Sequence, residues 1–297
     1  MAMIPAAVMA LRYRPWMGHT LGVVVACGAA AGMCIGATRY AHANLLMPKS
    51  PPKVVLIEAP QWMSQTLQNQ IITAVTPPFP TLADDASAVR DVAGKLLAYP
   101  WVKSVEQVRR GFDESPGDVI EVRATFRTPV ALVRDGEWYW MVDSSGVKLP
   151  EKFAVNEVPT VVVSRDRKLN FRIITGVLAS APAAGSVWAG EDVRAGLDLA
   201  ALLETKSFAD DIVMVDVSNF MGRQEPNLPQ LVLKTRYDTQ IGWGRPVNAR
   251  DWFVEISNDS KLDRLEMFKN RFGRVDANRD YIDIRMETAM ARPARAK

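Results

Sequence analysis

The chain of 297 residues is long enough for two modest domains. Its formal net charge of +3 is too small to indicate the basic surface that nucleic-acid-binding proteins carry. Every histidine and cysteine occurs before position 43, namely His19, Cys27, Cys34 and His42. The rest of the chain therefore lacks the side chains for Ser-His-Asp or Cys-His catalysis, for zinc sites and for disulfides. Carboxylate chemistry remains conceivable, but we expect no enzyme and no catalytic, cofactor or metal site.

The first element along the chain is a stretch of 24 residues without formal charge between Arg14 and Arg39. As a helix it would span roughly 36 Å, enough to cross a hydrocarbon core of about 30 Å. We predict a membrane-spanning segment over residues 17–41 after an N-terminal tail, residues 1–16. Helical spacing places Gly28, Gly32 and Gly36 on one face, which predicts helix packing in the membrane. An Ala/Gly-rich span also produces such spacing by chance.

The charges flanking this segment do not settle its orientation, because arginines or lysines lie on both sides of it. A cleaved signal peptide is an alternative, since residues 41–43 form an A-x-A site after a long apolar stretch. All of these possibilities export the remainder of the chain.

Residues 42–52 carry three prolines and predict a stiff linker. Over residues 53–126 the patterns follow the order strand, helix, helix, strand, strand. The second helix is expected to begin at Asp84-Asp85, where acids favour the helix dipole. The apolar positions expected to point inward are Met63, Leu67, Ile71 and Val75 in the first helix and Val89, Val92 and Leu96 in the second. Strands are predicted at 53–58, 102–108 and 119–126, and the valine spacing in the middle one indicates a bulge or a twisted edge.

From residue 127 to residue 287 the pattern becomes rich in strands, which predicts a mainly antiparallel β domain with flanking helices and an α+β fold overall. Asp135-Gly136 predicts a hairpin, and Ser144-Ser145-Gly146 predicts the next turn. Further strands are predicted at 158–163, 211–217, 229–236, 238–243 and 281–285, and those at 229–236 and 238–243 are expected to form an antiparallel pair. Helices are predicted at 190–206, with Val193, Leu197 and Ala201 inward, and at 261–272, with Leu262, Leu265, Phe268 and Phe272 inward. Residues 288–297 form a basic tail.

Four features could carry chemistry, and each has an ordinary structural explanation. The S-x-x-K match from Ser145 to Lys148 falls at a predicted β-turn rather than at the helix start that such enzymes use. Asp210-Asp211 precedes a strand and is expected to be solvated. Gly242 and Gly244 lack the helix of a phosphate loop and predict a tight turn or a bulge at a strand end. Trp138 and Trp140 share one sheet face, either as core or as an aromatic contact patch.

Six short pieces along the chain carry a further signal. Residues 99–102 read YPWV, residues 127–131 read RTPVA after Phe126, and residues 141–146 read MVDSSG. Residues 241–244, 261–265 and 282–285 read IGWG, KLDRL and IDIR. In this order and spacing they resemble the FtsQ/DivIB family of bacterial cell-division proteins. The first three match its "PWV", which ends the helices of its POTRA domain, its "ER-x-PvA", with Phe126 where glutamate is usual, and its "lvD-x-x-G". The other three resemble its "i-x-l-G", "Kl-x-rl" and "iDlR" pieces.

The resemblance implies a POTRA domain over residues 53–126 and an FtsQ-type β domain over residues 127–287. It also implies a single-pass type II protein of the inner membrane, in which residues 1–16 form a cytoplasmic tail, residues 17–41 an uncleaved transmembrane signal-anchor, and the bulk of the chain lies in the periplasm. The implied role is that of a non-enzymatic scaffold at the division septum. The implied partners are FtsB/FtsL-like proteins and other divisome members, with no nucleic acid and no small-molecule substrate. An envelope secretion or transport adaptor unrelated to division is the alternative, and a membrane-tethered carboxylate hydrolase is a more distant one.

The resemblance further implies that a partner segment adds as a strand to the exposed edge of the last strand. The residues of that edge are Tyr281, Ile282, Asp283, Ile284, Arg285 and Met286. An ordinary sheet position is the alternative for this strand. Family members commonly continue with an aromatic and glycine-containing extension, whereas residues 287–297 here end in a basic tail.

Overall fold

The computed structural model describes residues 15–44, 50–82, 85–114, 116–157, 171–250 and 255–292. These ranges form a mixed α+β structure with an N-terminal helix and mainly antiparallel pairing in the larger of two sheets. The strand predicted at 158–163 and the residue Asp84 lie outside the described residues. The described residues contain one helix long and apolar enough to cross a membrane, α1 (Pro15–Asn44), with its candidate span at Val23–Tyr40.

The chain divides into two compact units, one made of Met1–Lys95 with Glu106–Arg123 and the other of Leu96–Val105 with Ala124–Lys297. The N-terminal module has the predicted order β1 (Lys53–Ile57), α2 (Gln65–Val75), α3 (Ala86–Ala98), β2 (Val102–Phe112) and β3 (Pro116–Phe126). Its three strands lie in the order β1-β3-β2, so β2 is an edge, as its valine spacing indicated. The assignment of residues 53–126 to a POTRA domain stays a prediction.

Local signals explain the helices of this module. The Ser64 hydroxyl caps α2 by accepting a hydrogen bond from the Leu67 amide at 3.2 Å. Asp85 caps α3 in the same way, because its carboxylate accepts a hydrogen bond from the Ser87 amide at 2.8 Å. The inward residues of α2 are buried as predicted, and in α3 Val92 and Leu96 are buried whereas Val89 is half-buried.

The second unit is built on a nine-stranded sheet whose strands appear in chain order as follows. They are β4 (Pro129–Asp135), β5 (Trp138–Asp143), β6 (Lys148–Ala154), β7 (Arg172–Thr175), β8 (Ile212–Asp216), β9 (Leu231–Thr235), β10 (Gln240–Gly244), β11 (Tyr281–Asp283) and β12 (Met290–Arg292). Their spatial order is β12-β11-β10-β9-β8-β7-β4-β5-β6, which leaves β12 and β6 as the two outer strands. The predicted hairpin at Asp135-Gly136 and the antiparallel pair β9–β10 are both confirmed.

The core of this unit lies between the sheet and two helices, α4 (Glu191–Leu203) and α5 (Asn258–Phe272). Helix α4 approaches β7 so closely that a Cβ on Gly196 would stand 2.7 Å from Ile174 Cγ2. The sheet is buried on both faces at its centre, because Ala131, Leu132 and Val133 are consecutive and fully buried. Two adjacent apolar clusters, one on each face, result from this arrangement.

Three of the predicted burial patterns are wrong in detail. In α4, Ala201 is exposed, because the buried face continues through Ala200 and Leu203 instead. In α5, Phe272 is 42% exposed, since it is the last residue of the helix and lies beyond the part that covers the sheet. Asp211 is buried rather than solvated and accepts hydrogen bonds from the Lys269 ammonium at 2.8 Å and the Tyr237 hydroxyl at 3.2 Å.

Candidate functional site

The candidate site is the end of the nine-stranded sheet at which the predicted partner-binding residues lie. Tyr281, Ile282 and Asp283 form β11, which pairs in parallel with β10 on one side. On its other side β11 pairs in antiparallel fashion with β12, through Tyr281↔Arg292 and Asp283↔Met290. The prediction that this strand is an exposed edge is therefore wrong. The backbone groups expected to meet a partner are paired with a strand from the segment predicted to be a basic tail.

The residues after β11 are fixed in place rather than available for pairing. The Ile284 amide donates to the Gly242 carbonyl at 3.1 Å, and the Ile284 side chain is fully buried. The Arg285 guanidinium lies against the Asp283 carboxylate, with Nη2 to Oδ2 at 2.8 Å, and its Nη1 donates to the Asn227 carbonyl at 3.0 Å. Met286, by contrast, is 40% exposed. Changes at Ile284 or Arg285 would consequently disturb the fold as well as any partner.

Helix α5 holds the turn between β11 and β12. Arg264, on this helix, donates from Nη1 to the Ile284 and Met286 carbonyls and from Nη2 to the Glu287 carbonyl at 2.6 Å. One guanidinium thus donates to three carbonyl oxygens within four residues of the chain reversal, those of Ile284, Met286 and Glu287. This contact explains how β12, a strand of three residues, is positioned beside β11. Met290 at the start of β12 is 61% exposed.

A buried ion pair lies beneath this end of the sheet. The Lys261 ammonium is 2.7 Å from Glu255 Oε2, and the two side chains are only 3% and 14% exposed. The same ammonium lies 5.1 Å from the centre of the Trp243 ring, and the Arg245 amide also donates to Glu255 Oε2, at 3.1 Å. Burial lowers the pKa of Lys261, and the hydrogen bond and charge of Glu255 act in the opposite direction.

Of the two alternatives predicted at Gly242 and Gly244, a tight turn or a bulge, the structure shows a bulge-like shift of register, and it creates room for this pair. The register of β10 against β9 shifts between the two glycines. Gly244 has a φ of +104°, and a Cβ there would stand 2.3 Å from Glu255 Oε2. A side chain at this position would therefore displace the carboxylate that neutralises Lys261. The three sequence pieces at 241–244, 261–265 and 282–285 thus meet at one end of the sheet.

The earlier pieces of the resemblance meet in a second network. Arg127 Nη1 lies 2.8 Å from Asp143 Oδ2, and the other oxygen of Asp143 accepts from the Ser145 and Val147 amides at 2.8 and 2.9 Å. These bonds form the turn predicted at residues 144–146. The Arg127 amide in turn donates to the Trp101 carbonyl at 2.8 Å. Residues 99–102, 127–131 and 141–146 are therefore joined by direct hydrogen bonds.

Trp101 also anchors the sheet through its indole. It is 3% exposed, and its Nε1 donates to Glu151 Oε1 at 3.0 Å, whereas Glu151 Oε2 is enclosed without a hydrogen-bond partner among the described residues. Burial raises the pKa of Glu151, and the bond from Trp101 lowers it. The folded state thus holds this proton more tightly than the unfolded state does. This tighter proton binding by Glu151 stabilises the folded state fully below about pH 4.5, the ordinary pKa of the carboxyl group. The stabilisation is lost as the pH rises through the raised pKa of the folded state.

We expect Trp101→Phe to lower the free energy of unfolding by about 1–2 kcal/mol at pH 7, because the charged carboxylate loses its donor. At pH 4 the cost should be smaller, since a protonated carboxyl group needs that donor less. Urea unfolding of the detergent-solubilised chain at both pH values measures the difference. An equal cost at pH 4 and pH 7 would contradict the assigned role of the indole–carboxylate bond.

The features that could have carried chemistry do not form an open reactive group. Ser145 lies in the turn and Lys148 begins β6, so the S-x-x-K match has no helix beneath it. Asp211 is committed to Lys269, Tyr237 and the Val275 amide. Within the described ranges, no three acidic, histidine or cysteine side chains are grouped to hold a metal ion.

The glycine ladder of α1 lies on an open surface. Gly28, Gly32 and Gly36 are all exposed, and a Cβ on any of them would meet nothing within 4 Å. Helix pairing along this face stays a prediction. The comparisons with known proteins add no relative, because no family model matches the chain and no curated protein matches it significantly. The resemblance to the FtsQ/DivIB family accordingly rests on the residues described above.

Proposed function

We propose that this protein is a membrane-anchored, non-enzymatic scaffold of the FtsQ/DivIB type, which recruits FtsB/FtsL-like partners at the division septum. In this proposal α1 crosses the inner membrane, and the parts of the two compact units that follow α1 in sequence lie in the periplasm. The N-terminal module acts as the POTRA domain and the nine-stranded sheet as the β domain. Its role is to present protein-binding surfaces beside the enzymes that build the septal wall.

The observation that supports this proposal best is the arrangement of the motif residues. Six short pieces, far apart in sequence, gather into two networks, one around Asp143 and the other around Glu255 and Lys261. The second network lies beneath a sheet end that finishes in a short outer strand. The residues that resemble the FtsQ/DivIB family thus lie beneath the end of the sheet at β12, where a strand of a partner protein could pair.

In this proposal the partner strand pairs with the outer edge of β12, in place of the edge first expected at β11. An outer strand presents unpaired backbone groups, which supply affinity to an added strand. The exposed side chains of Met286 and Met290 lie beside this edge and offer adaptable apolar contact. The two positions could therefore contribute side-chain contacts next to the backbone pairing.

Removing residues 288–297 should reduce partner capture at least tenfold, because β12 and its outer edge are lost together. The measurement is co-purification of the full-length protein with the FtsB-like protein of the same cell. A chain ending at Arg292, which keeps all of β12, is the matched control and should bind normally. Circular dichroism is used to check that both truncated chains fold. If the chain that lacks residues 288–297 captured the partner as well as the full-length protein or better, the result would contradict this proposal. The partner strand would then pair with β11, and β12 would block that edge in the full-length protein.

A further inference from the structure

A paired arrangement of tryptophans and lysines lies at the opposite end of the nine-stranded sheet. Strands β5 and β6 pair through Trp140↔Lys152 and Val142↔Lys148, so these side chains share one face with Trp138. Strand β6 is the other outer strand of the sheet. This surface, which we call the Trp–Lys face (Trp138, Trp140, Lys148 and Lys152), is therefore separate from the β12 edge of the proposed function.

Each ammonium of the Trp–Lys face lies over an indole. Lys148 Nζ is 3.8 Å from the centre of the Trp140 ring, and Lys152 Nζ is 3.8 Å from that of Trp138. Lys152 Nζ is also 5.5 Å from the centre of Trp140, so one indole has two cations near it. Cation–π attraction holds such groups in place but does not neutralise their charge.

Neither of the two charges has a counter-ion among the described residues. In the part of the chain that the structure describes, neither ammonium forms an ion pair with a carboxylate, although Lys148 is only 5% exposed. Glu151, which lies between them in sequence, accepts instead from the Trp101 indole. Burial lowers the pKa of Lys148, and the charge of Lys152 lowers it further. An anion at this face would offset both effects.

Another lysine with a low exposed fraction is neutralised by a carboxylate. Lys261 is 2% exposed, and Glu255 Oε2 lies 2.7 Å from its ammonium. Lys148 is 5% exposed over the whole residue and lies over an indole, and no carboxylate of the described residues pairs with its ammonium. Its backbone is fixed on the outer side of β6, because its amide donates to the Ser186 carbonyl at 3.0 Å and its carbonyl accepts from the Gly185 amide at 2.8 Å. The backbone position of Lys148 is thus held firmly, and no described carboxylate pairs with its charge.

We propose that the Trp–Lys face binds an acidic segment of a partner protein, with its carboxylates on Lys148 and Lys152 and an apolar side chain on Trp138. The two ammonium groups both lie within 5.5 Å of the centre of Trp140, so neighbouring carboxylates of one segment can reach them. Trp138 keeps 40% of its surface exposed, which offers apolar contact that a small inorganic anion would not use. Each of the two indole rings already carries an ammonium 3.8 Å from its centre, which leaves less ring surface for the stacking of a sugar ring.

The test uses the full-length protein in detergent and a synthetic heptapeptide in which Glu alternates with Leu. Binding is followed by tryptophan fluorescence and calorimetry, with the heptapeptide that carries Gln in place of Glu as the uncharged control. We expect the acidic peptide alone to bind, and we expect binding to weaken with added salt. Lys148→Met and Lys152→Gln should each weaken it at least tenfold, whereas Lys103→Gln, at an exposed lysine outside the face, should not change it.

Circular dichroism is used to check that each variant folds. Lys152 is exposed, so the effect of Lys152→Gln on peptide binding can be measured without disturbing the buried residue Lys148. Equal binding by the wild type and both variants would overturn the proposal. The proposal would also be overturned if the acidic peptide did not bind at a concentration of about 1 mM, since a Kd above that value is too weak for specific recognition. Displacement of the peptide by inorganic phosphate at similar concentration would identify a general anion site, and displacement by an acidic oligosaccharide a glycan site. Either outcome would exclude the partner-protein assignment.

Discussion

Glu255→Ala is expected to lower the free energy of unfolding of the larger unit by about 3–5 kcal/mol, the usual cost of breaking a buried ion pair from one side. The reason is that Lys261 would keep its ammonium inside the protein, 3% exposed, without the carboxylate now 2.7 Å away. The Trp243 ring, 5.1 Å from the ammonium, cannot replace that charge. Urea unfolding of the detergent-solubilised chain, followed by tryptophan fluorescence, measures the loss.

The double variant Glu255→Leu with Lys261→Met provides the matched control, because it removes both charges and keeps the volume. Its stability should lie within about 1–2 kcal/mol of the wild type. The pH dependence gives a second check. The folded pKa of Lys261 is below its ordinary value of 10.5, so the folded state binds fewer protons just below that pH and stability rises with pH. Glu255→Ala should steepen this rise, and the double variant should abolish it. A single variant no less stable than the double would contradict the ion-pair account.

Asp143→Ala should cost about 3 kcal/mol, because one carboxylate serves both the Arg127 guanidinium and the turn that joins β5 to β6. Arg127 is 17% exposed and would lose its counter-ion, while the Ser145 and Val147 amides would lose their acceptor. Thermal unfolding followed by circular dichroism reports the loss as a lower midpoint.

Two further variants identify the cause of that loss. Asp143→Asn retains an acceptor for the turn amides without the charge and should fall between the wild type and the alanine variant. Asp91→Ala breaks an exposed helical pair with Lys95 and should cost only about 0.3–0.5 kcal/mol. A cost of Asp143→Ala as small as that of Asp91→Ala would mean that the turn does not depend on the carboxylate.

Local patterns predicted the elements of this fold well. Apolar periodicity located α2, and the alternation of residues 119–126 located most of β3. The hairpin at Asp135-Gly136 was visible because turn chemistry is local. Such signals describe which face of an element is apolar. They do not say which element covers that face, and this explains why Ala201 and Phe272 were assigned to the core although both are exposed.

The sheet edge could not be predicted because it depends on pairing between distant segments. Strand β12 is three residues long and has neither alternation nor a turn motif before it. Its position depends on Arg264, more than twenty residues earlier, which holds the preceding turn. Asp211 was likewise expected to be solvated, since nothing near it in sequence indicates that Lys269 and Tyr237 enclose it. The spacing of Trp138 and Trp140 did indicate a shared face, but the lysines of β6 that complete it were not recognised.

The measurement that tests the central proposal most directly is live-cell imaging of the full-length protein, fused at its N-terminus to a fluorescent protein and expressed at its native level. The account predicts a fluorescent band at the division site, which requires both an uncleaved anchor in α1 and recruitment by division partners. An even signal around the membrane would contradict the division role and favour an envelope adaptor. Release of the label from an intact, exported remainder would contradict the anchor, because it would identify the apolar segment as a cleaved signal peptide.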